Sequence, residues 1–328
     1  MGPASESSSQ QCKQQMPRCR TLAVEIYLFS RDLAYRKTGQ GHPIIAGFPR
    51  GFRANNQIAG DFFHQLCFID WALKRQLNHI WRLFGTALSF SLFGIGGLLL
   101  GLLFFPALFL FIRDPLRRQV AARKWIGRAF CLFISIMKNL GVLSYRIHGR
   151  EGLTVPANCL IVANHPTLID VVFLICLFPQ ADCVIKSLMW RNPFTRFVVL
   201  AANYIPNNDG ADLLEICIDR LQHGDQLILF PEGTRSKPGQ KLRFKPGAAA
   251  IAVRAGASLQ PVLIGCTPMT LTKGEPWYHI PETKPFFEFQ ILDLTRPDDL
   301  VGNGMERRRK EKALNRAMEG FFRHHMGA

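Results

Sequence analysis

Between Leu83 and Ile112 the chain runs for about 30 residues without a charged side chain, a stretch that few folds accept. A helix needs roughly 20 apolar residues to cross the hydrocarbon of a bilayer, and buried helices of water-soluble domains are usually shorter. The stretch therefore reads as a membrane-embedded helical segment. A straight helix of this length would reach about 45 Å. It is expected to tilt, to bend at Pro106 or near Gly94, Gly96, Gly97 and Gly101, or to turn back as a re-entrant hairpin. Lys74, Arg75 and Arg82 precede it; Arg113, Arg117, Arg118, Arg123, Lys124 and Arg128 follow. The heavier basic cluster lies on the C-terminal side, which by the positive-inside rule puts the remainder of the chain in the cytoplasm.

The whole chain of 328 residues carries a formal charge of +16, which asks for an anionic partner. No zinc-finger or RNA-binding signature accompanies that charge, so nucleic acid is set aside and acidic membrane lipids are favoured. Nine cysteines are scattered without CxxC pairing, several of them inside apolar runs, and read as buried, reduced thiols. Four regions are expected. Residues 1–80 form an N-terminal extension of no legible function, disordered to about residue 20 where Ser, Gln and Pro dominate. Residues 81–143 hold the embedded segment and a helix from Trp125 to Leu143, which reads equally as an interfacial helix or as one packed on the next region. Residues 144–300 form a catalytic domain, and 301–328 a basic amphipathic helix with Leu314, Met318, Phe321 and Phe322 on one face.

The catalytic region alternates apolar runs with helical patterns. This predicts an α/β fold with a mixed, mostly parallel sheet flanked by helices. Strands are expected over 144–147, 159–163, 182–185, 226–230 and 259–264, with a late strand at 286–291 whose alternating polarity suggests a sheet edge. Helices are expected over 188–201, 211–223 and 248–255. Two polar clusters sit directly after apolar strands. The first is Asn164-His165-Pro166-Thr167-Leu168-Ile169-Asp170, expected at a bend where strand becomes helix, with Pro166 in the first turn. In an unbroken helix His165 and Asp170 would point about 140° apart, so the bend is what lets the imidazole reach the carboxylate. An imidazole oriented by a carboxylate is a general base near neutral pH. An isolated pair of this spacing is also found as an ordinary core histidine beside a helix residue.

The second cluster, Phe230-Pro231-Glu232-Gly233-Thr234-Arg235-Ser236, changes that balance, since two polar clusters at separate strand ends are what an α/β active site requires. The two blocks, with Phe244-Lys245-Pro246-Gly247 and the apolar 259–264 run, resemble those of the glycerolipid acyltransferases over roughly residues 120–295. The resemblance implies an O-acyltransferase in which His165 and Asp170 are catalytic, while Asn164, Glu232, Gly233, Thr234, Arg235, Ser236 and Lys245 line the acceptor site. It implies acyl-CoA or an acyl carrier protein thioester as co-substrate, and neither a metal nor another cofactor. The chain departs from the family where an arginine usually helps to hold the acceptor phosphate. Here Asn203-Tyr204-Ile205-Pro206-Asn207-Asn208-Asp209 stands, and no Lys or Arg occurs between Arg196 and Arg220. Acceptors other than lysophosphatidic acid therefore stay open: another lysophospholipid, an amino lipid, a glycolipid or a lipid-like pigment. Two further classes also stay open, a lipid thioester hydrolase and a non-catalytic membrane-bound lipid-binding protein. Oligomeric state is not legible.

Overall fold

A helix of 45 residues, α1 (Asn55–Leu99), leads without reversal through a π-helical turn at Leu100–Phe104 into α2 (Phe105–Phe111). The computed structural model describes residues 55–326 apart from 152, 208–210 and 237–238, so the Ser/Gln-rich tail lies outside the described residues. The chain divides into two units between Leu77 and Asn78, and the second holds the charge-free segment and the catalytic region. The π turn precedes Pro106, which lacks an N–H and whose ring crowds the carbonyl four residues back. Phe105 N–H accordingly donates to Leu100 O, five residues back. The expected bend is thus present as a widened turn, and the hairpin alternative is not. Ile69–Phe111 is long and apolar enough to cross a membrane, and only 17% of its most apolar window is buried, unlike a soluble core helix.

Helix α3 (Pro115–Asn139) starts where Asp114 accepts hydrogen bonds from the N–H groups of Leu116 and Arg117. It ends at Gly141, whose positive φ of 72° closes the last turn. Its buried face includes Ala122, Ile126, Phe133 and Met137, so of the two readings for this region the structure shows the helix packed on the core. Phe133 also meets Phe93 and Phe90, at ring distances of 4.6 and 5.7 Å. Trp125 meets Phe104 at 5.1 Å. The apolar helix is thereby laid against the catalytic region through aromatic contacts, each such pair contributing about 0.5–1.5 kcal/mol beyond its area.

Seven strands follow: β1 (Ser144–His148), β2 (Cys159–Ala163), β3 (Asp182–Lys186), β4 (Ile205–Asn207), β5 (Gln226–Leu229), β6 (Ser258–Thr267) and β7 (Phe286–Ile291). They form one sheet in the order β1-β7-β6-β2-β5-β3-β4, parallel at every pairing except β6 with β7. Strand β2 lies in the middle and is wholly buried, as its unbroken apolar sequence requires. Ile161 and Ala163 face one core with Phe173, Phe287 and Phe289; Leu160 and Val162 face the other with Leu221, Leu227 and Phe322. The helices are α4 (Asp170–Leu177), α5 (Leu188–Arg191), α6 (Pro193–Ala202), α7 (Ala211–Gln222), α8 (Gly247–Ala255), α9 (Pro297–Val301) and α10 (Arg307–Met326). The basic C-terminal helix α10 buries Leu314, Met318 and Phe322.

Three expectations need correction. Strand β7 is not an edge: it lies between β1 and β6, and its alternation reflects one covered and one partly open sheet face. The edges are β1 and the three-residue β4, which Pro206 and its neighbouring asparagines hid from a sequence reading. Among the cysteines, Cys159, Cys183, Cys217 and Cys266 are buried free thiols, but Cys131 of α3 and Cys176 of α4 form a disulfide. Helix packing brings their Cα atoms to 5.1 Å, a proximity that sequence spacing could not reveal.

At the amino end of β3 a buried charge cluster joins the same helices to the sheet. Asp182 Oδ2 lies 3.1 Å from Arg123 Nη2 and 3.8 Å from Arg220 Nη1, without a well-aligned hydrogen bond to either. Arg123 also donates to the carbonyls of Ala202 and Gln180. Burial pushes the Asp182 carboxyl up to about 6 against the pull of both guanidinium groups. It is therefore charged at neutral pH and needs its partners. Arg123→Met should cost about 3–5 kcal/mol of unfolding free energy, because it leaves Asp182 buried with its nearest cation gone. Chemical denaturation at pH 7 measures this. Without Arg123 the Asp182 carboxyl rises further, so the loss should shrink as pH falls through 6 and level off below it, where both proteins carry the carboxyl protonated.

Candidate active site

The chain leaves β2 at Ala163 and does not enter a helix until Asp170, so His165 stands in a loop of six residues at the carboxyl end of the central strand. Pro166 belongs to this loop and not to the first turn of α4, a correction to the expected strand-to-helix bend. The purpose expected of the bend is nonetheless met. His165 Nδ1 lies 2.9 Å from Asp170 Oδ2. Asp170 is fully buried and accepts two further hydrogen bonds, from Thr167 N at 2.6 Å and Thr167 Oγ1 at 2.5 Å.

Burial raises the Asp170 carboxyl, while the bonds from His165 and Thr167 pull it back down. Both Thr167 contacts come from donors, so an ionised Asp170 accepts all three bonds only if the imidazole carries its proton on Nδ1. That leaves Nε2 as the basic nitrogen. Nε2 has no hydrogen-bond partner among the described residues, and the side chain is 17% exposed. The ring lies 4.1 Å from that of Phe230, tilted by 20°, a stacked contact that fixes its plane.

Other residues of the two clusters hold this geometry from behind. Asn164 is completely buried; its amide donates to Ile264 O and accepts from Ile264 N, both at 2.8 Å, stapling the loop to β6. Its amide is thus committed to the protein. Glu232 bridges the two clusters: Oε1 accepts from His165 N at 2.9 Å, and Oε2 accepts from Ser236 Oγ at 2.7 Å. Ser236 N in turn donates to His165 O at 2.7 Å. Arg235 makes no ion pair with Glu232. Its Nη1 donates to the carbonyls of Leu271 and Thr272, at 3.0 and 2.9 Å.

Gly233 and Thr234 are exposed at the tip of the second loop. Gly233 has φ of 68°, and a Cβ there would lie 2.9 Å from Lys245 Nζ, so the lysine ammonium passes directly over the glycine. The structure therefore gathers every residue expected of the site at one end of the sheet. It divides them into those with free polar atoms, His165, Arg235 and Lys245 among them, and those committed to the frame, Asn164, Asp170, Glu232 and Ser236.

Thr167, Phe230, Leu271 and Thr272 were not singled out from sequence as site residues. Thr167 alone carried a signal, being a hydroxyl residue three positions before the acid at a helix start. No cysteine competes as nucleophile among the buried free thiols, since burial pushes Cys159, Cys183, Cys217 and Cys266 each up to about 12.

The region that holds this site is similar to known proteins. The Acyltransferase family model matches residues 144–265. A 1-acyl-sn-glycerol-3-phosphate acyltransferase of Helicobacter pylori is 34% identical over 112 residues, covering 32% of this chain and 47% of that protein. The chloroplastic 1-acyl-sn-glycerol-3-phosphate acyltransferase LPAT1 of Arabidopsis thaliana is 26% identical over 165 residues, 48% of this chain and 44% of its own length. The chain thus spans a little under half the length of these relatives. Among solved structures, the 1-acyl-sn-glycerophosphate acyltransferase PlsC of Thermotoga maritima shares the fold, with a TM-score of 0.52 and 23% identity over 75% of this chain and 97% of that one. Residues 144–265 are thus similar to the Acyltransferase family, and the matched stretches to 1-acyl-sn-glycerol-3-phosphate acyltransferases.

Proposed function

We propose that the protein is a membrane-bound O-acyltransferase that moves a fatty acyl group from an acyl-CoA or acyl carrier protein thioester to the hydroxyl of a lysophospholipid-like acceptor. The reading rests above all on the His165–Asp170 pair, with Nε2 unoccupied at the carboxyl end of β2. In the proposed reaction Nε2 takes the proton of the acceptor hydroxyl as its oxygen attacks the thioester carbonyl. The C–S bond then breaks, and the imidazolium returns the proton to the departing thiolate. The imidazolium formed on the way is stabilised by Asp170. The thioester is already activated, so direct attack needs no covalent acyl-enzyme.

Membrane attachment is supported by Ile69–Phe111 and its low burial. The cytoplasmic side is supported by the basic residues that follow the segment. In a reducing compartment Cys131 and Cys176 would stand as a thiol pair.

A second reading concerns the acceptor. The 1-acylglycerol-3-phosphate of the relatives' names carries a phosphomonoester of nearly two negative charges. This chain has no cation between Arg196 and Arg220, and Arg235 Nη1 is already held by two carbonyls. Lys245 Nζ, over Gly233, is a cation beside the second cluster. An acceptor whose head group is a diester, a zwitterion or an uncharged sugar suits such a site better than a phosphomonoester.

Three outcomes are expected. His165→Ala should lower the rate of acyl transfer by about 10²–10⁴ with folding and membrane association unchanged. Asp170→Ala should do likewise, and near-normal turnover by a folded His165→Ala protein would remove the assigned base. The protein should stay with membranes through high-salt and alkaline washing, because an embedded segment is not released by screening; release by salt alone would contradict the embedded reading. With one acyl donor throughout, kcat/KM should be lower for lysophosphatidic acid than for diester, zwitterionic or sugar acceptors, and the opposite order would mean that another cation, Lys186, Arg243 or Lys245, replaces the missing arginine.

A further inference from the structure

We infer that the strip from Lys186 to Phe197, covering α5 and the first turns of α6, is a second membrane contact, seated on the headgroups of an anionic bilayer beside the active site. The inference rests on the membrane reading of Leu83–Ile112. Four observations carry it. First, the strip exposes large apolar side chains that a soluble domain would cover: Leu188 is 71% exposed, Met189 40% and Phe197 39%.

Second, its charge is of one sign. Lys186, Arg191 and Arg196 are exposed, none has a carboxylate partner among the described residues, and no Asp or Glu occurs between Asp182 and Asp209. Apolar side chains interleaved with unpaired cations match an interface of acidic lipids, where each Lys or Arg near the surface contributes about 1 kcal/mol.

Third, the strip is continuous with the apolar helix. Helix α6 packs on the π turn and on α2, with Phe197 and Phe109 rings 6.3 Å apart. The Arg118 guanidinium lies 4.2 Å above the same Phe109 ring and donates to Ile112 O. A cation closing the end of an apolar helix marks the headgroup level, so Phe197, which touches Phe109, lies at that level too.

Fourth, the strip is on the catalytic side. It follows the carboxyl end of β3, and β2 and β3 both pair parallel with β5, so Leu188 emerges at the same end of the sheet as His165. The 43%-exposed Leu168 of the catalytic loop emerges there as well. A bilayer seated on this rim would let an acceptor present its head group to His165 while its acyl chain stays in lipid. An acidic carrier protein offers charge but gives no account of the contact with α2, and the bilayer is therefore preferred.

The test uses the full chain reconstituted in vesicles of phosphatidylethanolamine and phosphatidylglycerol, with p-benzoylphenylalanine replacing Leu188, Met189, Leu110 or Asp219 in turn. Leu110 of α2 is 73% exposed and reports the apolar helix. Asp219, in the last turn of α7, is exposed and lies toward the amino ends of the strands. Photolysis should give lipid adducts at Leu188 and Met189 several-fold above those at Asp219. Arg191→Gln with Arg196→Gln should lower them. Adducts at Leu110 with only the Asp219 background at Leu188 and Met189 would overturn the second contact and leave the embedded helix standing. No adduct at Leu110 would overturn both readings. Adducts at Leu188 to an added acidic carrier protein, in place of lipid, would make the strip a protein-docking surface. No readout depends on turnover, so the result holds whatever the acyl acceptor proves to be.

Discussion

The site end of the sheet depends on two carboxylates beside His165, each held by hydrogen-bond donors from the loops around it. Asp170 is fully buried and accepts three hydrogen bonds; Glu232 accepts one from each of two loops. A buried carboxylate without donors costs several kcal/mol, whereas charge-assisted bonds contribute roughly 1.5–3 kcal/mol each. The loops therefore fold into the one arrangement that supplies those donors. His165 belongs to both networks, giving its backbone N–H to Glu232 and its ring nitrogen to Asp170. The position of the imidazole is thereby over-determined.

The same accounting separates two ends of the sheet. At the amino end of β3, Asp182 is enclosed by Arg123 and Arg220, and its charge serves packing. At the carboxyl end, the side-chain partners of Asp170 are the His165 imidazole and Thr167, with no Arg or Lys paired to it among the described residues. Burial raises both carboxyls, and what differs between them is the partner.

Much of this was legible in the chain. The buried strand β2 reads directly from Cys159-Leu160-Ile161-Val162, and the two polar clusters after β2 and β5 locate the site because a parallel sheet collects strand ends on one side. What was not legible depends on contacts between distant segments. Glu232 looks like a ligand-facing acid until its oxygens are found on His165 N and Ser236 Oγ. The alternation of β7 gives which face is covered but not which strands lie beside it. Strand β4 has three residues and includes Pro206, too little for any periodicity. The Cys131–Cys176 pair exists because α3 crosses α4 closely, with Gly127 against Pro179, where a Cβ would come within 2.7 Å.

The apolar helix is packed on the rest of the fold. It would hold a tethered domain at any angle if only a flexible linker joined them, but here α3 covers one side of it through Phe133 and Trp125, α6 touches it through Phe197, and the loop before β7 reaches it through Trp277 on Phe90, with ring centroids 6.4 Å apart. Arg82, almost fully buried, donates to Glu282 O from the same helix. These contacts reach the apolar helix from α3, from α6 and from the loop before β7, so packing sets the angle between helix and sheet. The direction of the helix therefore fixes the direction in which the carboxyl end of β2 points. The orientation of the His165–Asp170 pair and that of the apolar helix are thus one geometric problem, decided by the aromatic contacts between them.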